Sequence, residues 1–313
     1  MSEDLLNAGV EALLECEAAS CSRHAPASAG GAVRPHAESA GRPGTSRAGH
    51  GMLAVARVDG ASAVVSCFAT TPLHLFTPRP RGRAVSAMIA THGGGIVAGD
   101  TVDLAIEVGP HALAAVATQA ETKVYRSRGP WAVQRVAASV GRDGALAFLP
   151  EPTSCFEAAR YRQVQRFDLD PGASLLLVDS LTPGRSARGE RWSFHAYLST
   201  TELFVADRLV LRDSLRLVDG EGAPVAERMR GFELLGTVVA VGPAVAALGA
   251  SLLEAIGARA ANLDAGVLAA ASPLLDGVYL RVAARTVEQG IAFLRAILVP
   301  ARELFGESAL ERC

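Results

Sequence analysis

One kind of turn recurs along the middle of this chain, each time between two strand-like segments. Gly109-Pro110-His111, Gly141-Arg142-Asp143-Gly144 and Asp170-Pro171-Gly172 each end an alternating stretch and open an apolar one. Gly, Asp and Pro serve at such places because they tolerate or preset the backbone angles that reverse a chain. Ahead of the first turn, Val102, Leu104, Ile106 and Val108 alternate with Thr101, Asp103, Ala105 and Glu107. A period of two describes a strand with one buried face. The turns lie roughly 30 residues apart, a spacing typical of repeat architectures. A Greek-key sandwich also gives evenly spaced turns, but stacked layers account for the recurrence more directly. The expectation is a mainly β chain with a layered, β-helix-like (solenoid-like) domain.

After residue 240 the period lengthens. Ala244–Ala260 reads as a helix entered after Pro243, and Thr286–Phe305 as a second, with Val287, Ile291, Leu294 and Leu298 at helical spacing. Pro300 should kink or divide it. Between them, Asp276–Val282 reads as a strand. At the other end, residues 4–19 suggest a short amphipathic helix, and residues 20–50 are rich in Ala, Gly, Ser, Pro, Arg and His. Such a composition offers little apolar surface to offset ordering entropy. The expected organisation is a disordered extension over 1–50, with the globular part starting near Met52. A β domain over 51–240 follows, then a helix-strand-helix segment over 241–313 packed on it, including two C-terminal α-helices.

Half of the 313 residues are apolar and a fifth are charged, so a sizeable core can form. A net charge of −2 lacks the basic footprint of nucleic-acid binding. Five scattered cysteines, with no CxxC pair, point to a reducing cytoplasm rather than a disulfide framework. The acidic opening Met1-Ser2-Glu3-Asp4 does not resemble a signal peptide, and no apolar run reaches the length of a membrane span.

Three polar clusters stand out. In Gly93-Gly94-Gly95-Ile96-Val97-Ala98-Gly99-Asp100 a strand follows the glycines, where a phosphate loop needs a helix. A glycine-rich turn fixed by Asp100 is the plainer reading. Thr118–Ser127 gathers Thr122, Tyr125 and Arg126 around Lys123, the chain's only lysine. A structural salt bridge explains it as well as a functional cation does. In the third cluster Asp179 ends the run Leu175-Leu176-Leu177-Val178. A carboxylate there is partly buried and must find a partner, with Arg185 or Arg188 the nearest in sequence. Parallel stacking would bring Thr122-Lys123 and Asp179 into one column, an internal polar seam. No histidine spacing fits a metal site, and no catalytic signature is present.

Together these segments resemble the urease accessory proteins of the UreD/UreH family. The matching pieces are Pro72-Leu73 with Pro78, Gly94-Gly95-Ile96-Val97-Ala98-Gly99-Asp100, and Thr118–Ser127. Then come Leu149-Pro150-Glu151-Pro152 with Arg160-Tyr161-Arg162-Gln163, and Pro183-Gly184-Arg185-Ser186-Ala187-Arg188-Gly189-Glu190. The resemblance implies a non-catalytic cytoplasmic scaffold that binds a UreF-type partner, through it the GTPase UreG, and docks on apo-urease during nickel insertion. It implies no tightly bound cofactor, only transient Ni2+. By motif match, Asp100, Thr122, Asp179 and Asp213 are the residues of the nickel path. Thr91-His92-Gly93 stands where the family often has Pro-Pro, and the usual Pro-, Arg- and Trp-rich ending is absent. A competing expectation is a carbohydrate-active enzyme on a β-solenoid, with Asp179 and Arg185 as its polar pair. A chain only 5% aromatic argues against the aromatic groove such an enzyme uses.

Overall fold

The recurring turns are bonded to one another. The amide of Gly141 donates to the carbonyl of Val108 at 2.7 Å, and that of Asp170 to Val140 at 2.9 Å. On the far side of each turn, Ala145 donates to Ala112 and Ser174 to Gly144, both at 2.9 Å. Each turn thus satisfies the backbone of its neighbour, and the repeat seen in the sequence is a physical stack. Gly172 shows how tight it is: its φ is +79°, and a Cβ there would lie 2.2 Å from Oδ1 of Asp143.

The computed structural model describes residues 48–79, 82–257 and 266–306. The expected helix over 4–19 and most of the expected tail lie outside the described residues. In chain order, β1 (Ala48–Val58), β2 (Ala61–Ala69), β3 (Leu73–Phe76) and β4 (Val85–Thr91) lead in. The stacked rungs follow: β5 (Thr101–Val108), β6 (Leu113–Thr118) and β7 (Thr122–Val124), then β8 (Ala132–Val140), β9 (Ala145–Leu149) and β10 (Thr153–Cys155), then β11 (Arg160–Leu169) and β12 (Ser174–Thr182). A hairpin of β13 (Ala196–Val205) and β14 (Arg208–Val218) precedes β15 (Leu234–Val241) and helix α1 (Ala246–Gly257). The chain continues with β16 (Val267–Leu274), β17 (Gly277–Ala284), α2 (Val287–Leu298) and α3 (Arg302–Phe305).

Two sheets result. The first runs β14-β13-β11-β8-β5-β1-β2, and the second β16-β17-β15-β12-β9-β6-β4-β3, with β7 and β10 laddered beside β12. Neighbouring rungs pair in parallel, as β5 with β8 and β8 with β11. The architecture is mainly β, with solenoid-like stacked coils and helices near the C-terminus.

Leu53, Ile106, Phe148, Phe167, Leu175 and Leu177 fill the space between the sheets. A second core lies under the helices, where Leu176, Val178 and Val238 meet Leu248, Leu252, Leu294 and Leu298. β12 is therefore buried on both faces, which is why its sequence is an unbroken apolar run instead of an alternating one. β5 has helices on neither face and keeps the alternation.

Two differences from the sequence expectation have physical causes. β1 begins at Ala48, inside the span read as a disordered tail. Its Gly49 and Gly51 are buried, and a Cβ at Gly51 would come within 2.5 Å of Leu73. What looked like tail composition is close strand packing. The C-terminal segment also contributes two strands, not one. β16, with its run of alanines and Pro273, carries little strand signal, yet it pairs with β17 along its whole length. These strands extend the second sheet, and the helices cover that sheet's outer face. The second helix is divided at Pro300, as its sequence leads one to expect, with Pro300 in a 3-10 turn over Val299–Ala301 between α2 and α3. The side chain of Thr286 caps α2 by accepting from the amide of Gln289 at 3.2 Å.

Candidate functional site

The alternation of β11 places polar groups where a core is expected. Arg162 and Arg166 point outward, and Val164 is 37% exposed beside them, so Tyr161, Gln163, Gln165 and Phe167 face the opposite sheet. In the first sheet Gln163 is flanked by Gln134 of β8 and Ser199 of β13. In the second sheet Asp179, Thr237 and Arg281 stand side by side on β12, β15 and β17. The two rows face each other across the gap between the sheets.

Hydrogen bonds join them. Nε2 of Gln163 donates to Oδ2 of Asp179 at 2.6 Å and lies 3.4 Å from Oγ of Ser199. The hydroxyl of Tyr161 donates to Oε1 of Gln134 at 2.6 Å. Thr201, next to Asp213 in the ladder, lies 3.5 Å from Oε1 of Gln165. At the β14 edge, Arg281 forms an ion pair with Asp213, the side chains being 23% and 12% exposed. A cavity of about 40 Å³ lies among Asp179, Tyr197, Ser199, Asp213 and Arg281. That is room for one or a few waters among several polar partners. Burial pushes the Asp179 carboxyl up to about 7, and the nearby Asp213 adds to the rise, while the Gln163 amide opposes it. Burial also holds the hydroxyls of Tyr161 and Tyr197 well above the ordinary phenol range, so both remain neutral donors.

The three clusters singled out in the sequence meet elsewhere, at one corner around Phe156. Gly95 packs so closely under Lys123 that a Cβ would be 2.5 Å from its carbonyl. The hydroxyl of Tyr125 reaches the carbonyl of Gly93 at 3.5 Å, and its ring meets Phe156 edge-on at 5.3 Å. The Arg185 guanidinium lies 4.4 Å from the Phe156 ring centre on another side and grips Glu190 with Nε and Nη2. Glu190 also accepts from the amide of Glu157 at 3.2 Å. Its carboxyl is held below the usual range, chiefly by the Arg185 hydrogen bond. Gly184, at φ +103°, fits against the carbonyl of Cys155.

Two expectations are corrected here, the Asp179–Arg185 pair and the shared column, and the remaining residues are placed as follows. Asp179 is partnered by Gln163 from the facing sheet, and Arg185 by Glu190, so the Asp179–Arg185 pair required by the carbohydrate-enzyme reading is not formed. Thr122 and Asp179 do not share a column: Thr122 pairs with Thr153 and Thr153 with Leu181, two residues beyond Asp179. Asp100 is buried in its turn, where its carboxylate accepts from the amide of Val97 at 3.1 Å. Gly94 and Gly99 both have positive φ in that turn. Lys123 pairs with Glu121 at 3.3 Å, both side chains well exposed, so the pair contributes little. Arg126 is exposed. Asp179 and Asp213 line the cavity; Asp100 and Thr122 are not among its lining residues.

A family model described as UreD urease accessory protein matches residues 47–313. The chain belongs to the UreD family. A "Urease accessory protein UreD" from Anaeromyxobacter sp. (strain Fw109-5) is 55% identical over 266 residues, covering 85% of this chain and 90% of that one. A protein of the same description from Sorangium cellulosum (strain So ce56) is 42% identical over 254 residues, 80% of each chain. "Urease accessory protein D" of Oryza sativa subsp. japonica is 37% identical over 235 residues, covering 74% of this chain and 70% of that one. The match at residue 47 starts one residue before β1. Among the described residues no helix is long and apolar enough to cross a membrane.

In this UreD-family chain the residues missed by sequence reasoning are Gln134, Gln163, Gln165, Ser199, Thr237, Arg281 and Phe156. A signal for Gln163 and Gln165 was present: the arginines of β11 mark its outward face, which leaves the glutamines inward. Arg281 carried none, because an arginine in a half-buried strand is usually on the solvent side.

Proposed function

We propose that this chain matures urease by binding and not by catalysis. In this reading it forms a cytoplasmic complex with a UreF-type accessory protein and a UreG-type GTPase. The complex docks on apo-urease, and Ni2+ passes toward the enzyme's active site along the oxygen-lined seam between the two sheets. The observation that carries the reading is the facing set of Gln163, which is buried, and Asp179, Ser199 and Asp213, which are partly buried, between the two sheets. Each such group must be supplied with a partner where it is taken out of water, so a packed apolar core would be the simpler structure if packing were the sole requirement. Carboxylate, amide and hydroxyl oxygens also suit a divalent ion in transit, where thiolates or a histidine cage would retain it. No tightly held cofactor is part of this reading.

The test is co-expression with urease and the other accessory proteins. Asp179→Ala is expected to leave the accessory complex intact on affinity purification and to lower urease activation. Activation equal to wild type would refute the nickel route. Failure to co-purify with a UreF-type partner would refute the scaffold role.

A further inference from the structure

Arg281 occupies an unusual place in the seam. It stands in the same row as Asp179 and Thr237 on the second sheet, and its guanidinium reaches across to Asp213 on the first. Asp179, Asp213 and Arg281 all border the same small cavity, so a fixed positive charge sits where two carboxylates converge. A guanidinium keeps its charge at any pH a protein tolerates.

The geometry points to Arg281 as the gate of the seam: its guanidinium holds the position between the carboxylates that a divalent cation would take, and must leave Asp213 before one can enter. This rests on the reading that nickel uses the seam. A second seat for the guanidinium is close by, because the ring of Tyr279, two residues back on β17, is already 5.6 Å from it. Entry is then an exchange of one cation for another. That exchange also explains how two carboxylates can serve a divalent ion without trapping it, since the returning guanidinium competes for Asp213.

The proposal is tested by Ni2+ binding to the purified full chain, measured by equilibrium dialysis. Arg281→Gln, which frees the Asp213 carboxylate and removes the positive charge beside Asp179, is expected to bind Ni2+ at least tenfold more tightly than wild type. Arg281→Lys, whose shorter ammonium cannot match the two-nitrogen fork, is expected to show a smaller gain and serves where the Gln variant does not fold. The double variant Asp213→Asn/Arg281→Gln should return to the wild-type level. No gain in any folded Arg281 variant overturns the gate, and so does a gain that survives in the double variant, which would place the ion elsewhere. Failure of the underlying nickel route is read separately, from urease activation by Asp179→Ala.

Discussion

Gln163 and Asp179 belong to different sheets, and the amide of one donates to the carboxylate of the other at 2.6 Å. This bond ties the inner faces of the two layers together at the point where the core is polar. It also makes one carboxyl group a reporter on the seam.

Because the Asp179 carboxyl is pushed up to about 7, the folded state binds its proton more tightly than the unfolded chain does. Folded stability is therefore favoured below the unfolded carboxylate range, near pH 4, and declines as pH rises toward 7. Asp179→Asn removes the titration and keeps an oxygen for Gln163. Its Tm should exceed that of wild type by a few degrees at pH 8, and the difference should shrink as the pH falls and vanish below about pH 3. Scanning calorimetry across that range checks it, and an equal difference at both pH values would be the wrong result.

Gln163→Leu deletes the donor that opposes the rise at Asp179. The decline in stability should still begin near pH 4 but extend to higher pH than in wild type, and urease activation should drop with the complex still assembled. A pH series of urea unfolding midpoints, paired with an activation assay, reads both effects.

The corner around Phe156 should respond as a unit. Phe156→Ala removes a buried ring that touches both Tyr125 and Arg185, at an expected cost of about 3–5 kcal/mol. Arg185→Lys loses the two-nitrogen grip on Glu190 and the stacking on the ring, for a smaller loss. In a double-mutant cycle the two should be less than additive, since the first removes part of what the second would lose. Denaturant unfolding of the four proteins measures the coupling.

At the stacked turns, Gly172→Ala forces a Cβ into a left-handed position against Asp143, and should cost at least about 1–2 kcal/mol. Gly172→Ala/Asp143→Gly relieves the contact but not the backbone angle, so it should recover only part of the loss. The shift in unfolding midpoint decides between full and partial recovery.

The strands and turns were legible because alternation and turn chemistry are local, and β5 shows both with no help from the rest of the chain. The partly buried carboxylate at Asp179 was legible too, since it ends a run of four large apolar residues. Its partner was not. Arg185 and Arg188 are nearest along the chain, but the rung geometry brings Gln163 from the opposite sheet instead. Thr122 was misplaced for a related reason: the corner residues between β9 and β10 shift the ladder, so equal positions after an apolar strand are not equal positions in space. Arg281 and Phe156 gain their roles solely from what the fold sets beside them.

Val178 and Asp179 are consecutive, yet they look in opposite directions, one into the helical layer and the other into the polar interior. Their Cα atoms are about 3.8 Å apart. Any force that lifts α1 or α2 far enough to drag Val178 must also move the carboxylate behind it. The double-sided strand is thus a mechanical linkage, so that a neighbour pressing on the outside of the molecule acts on the same short piece of backbone as an ion within.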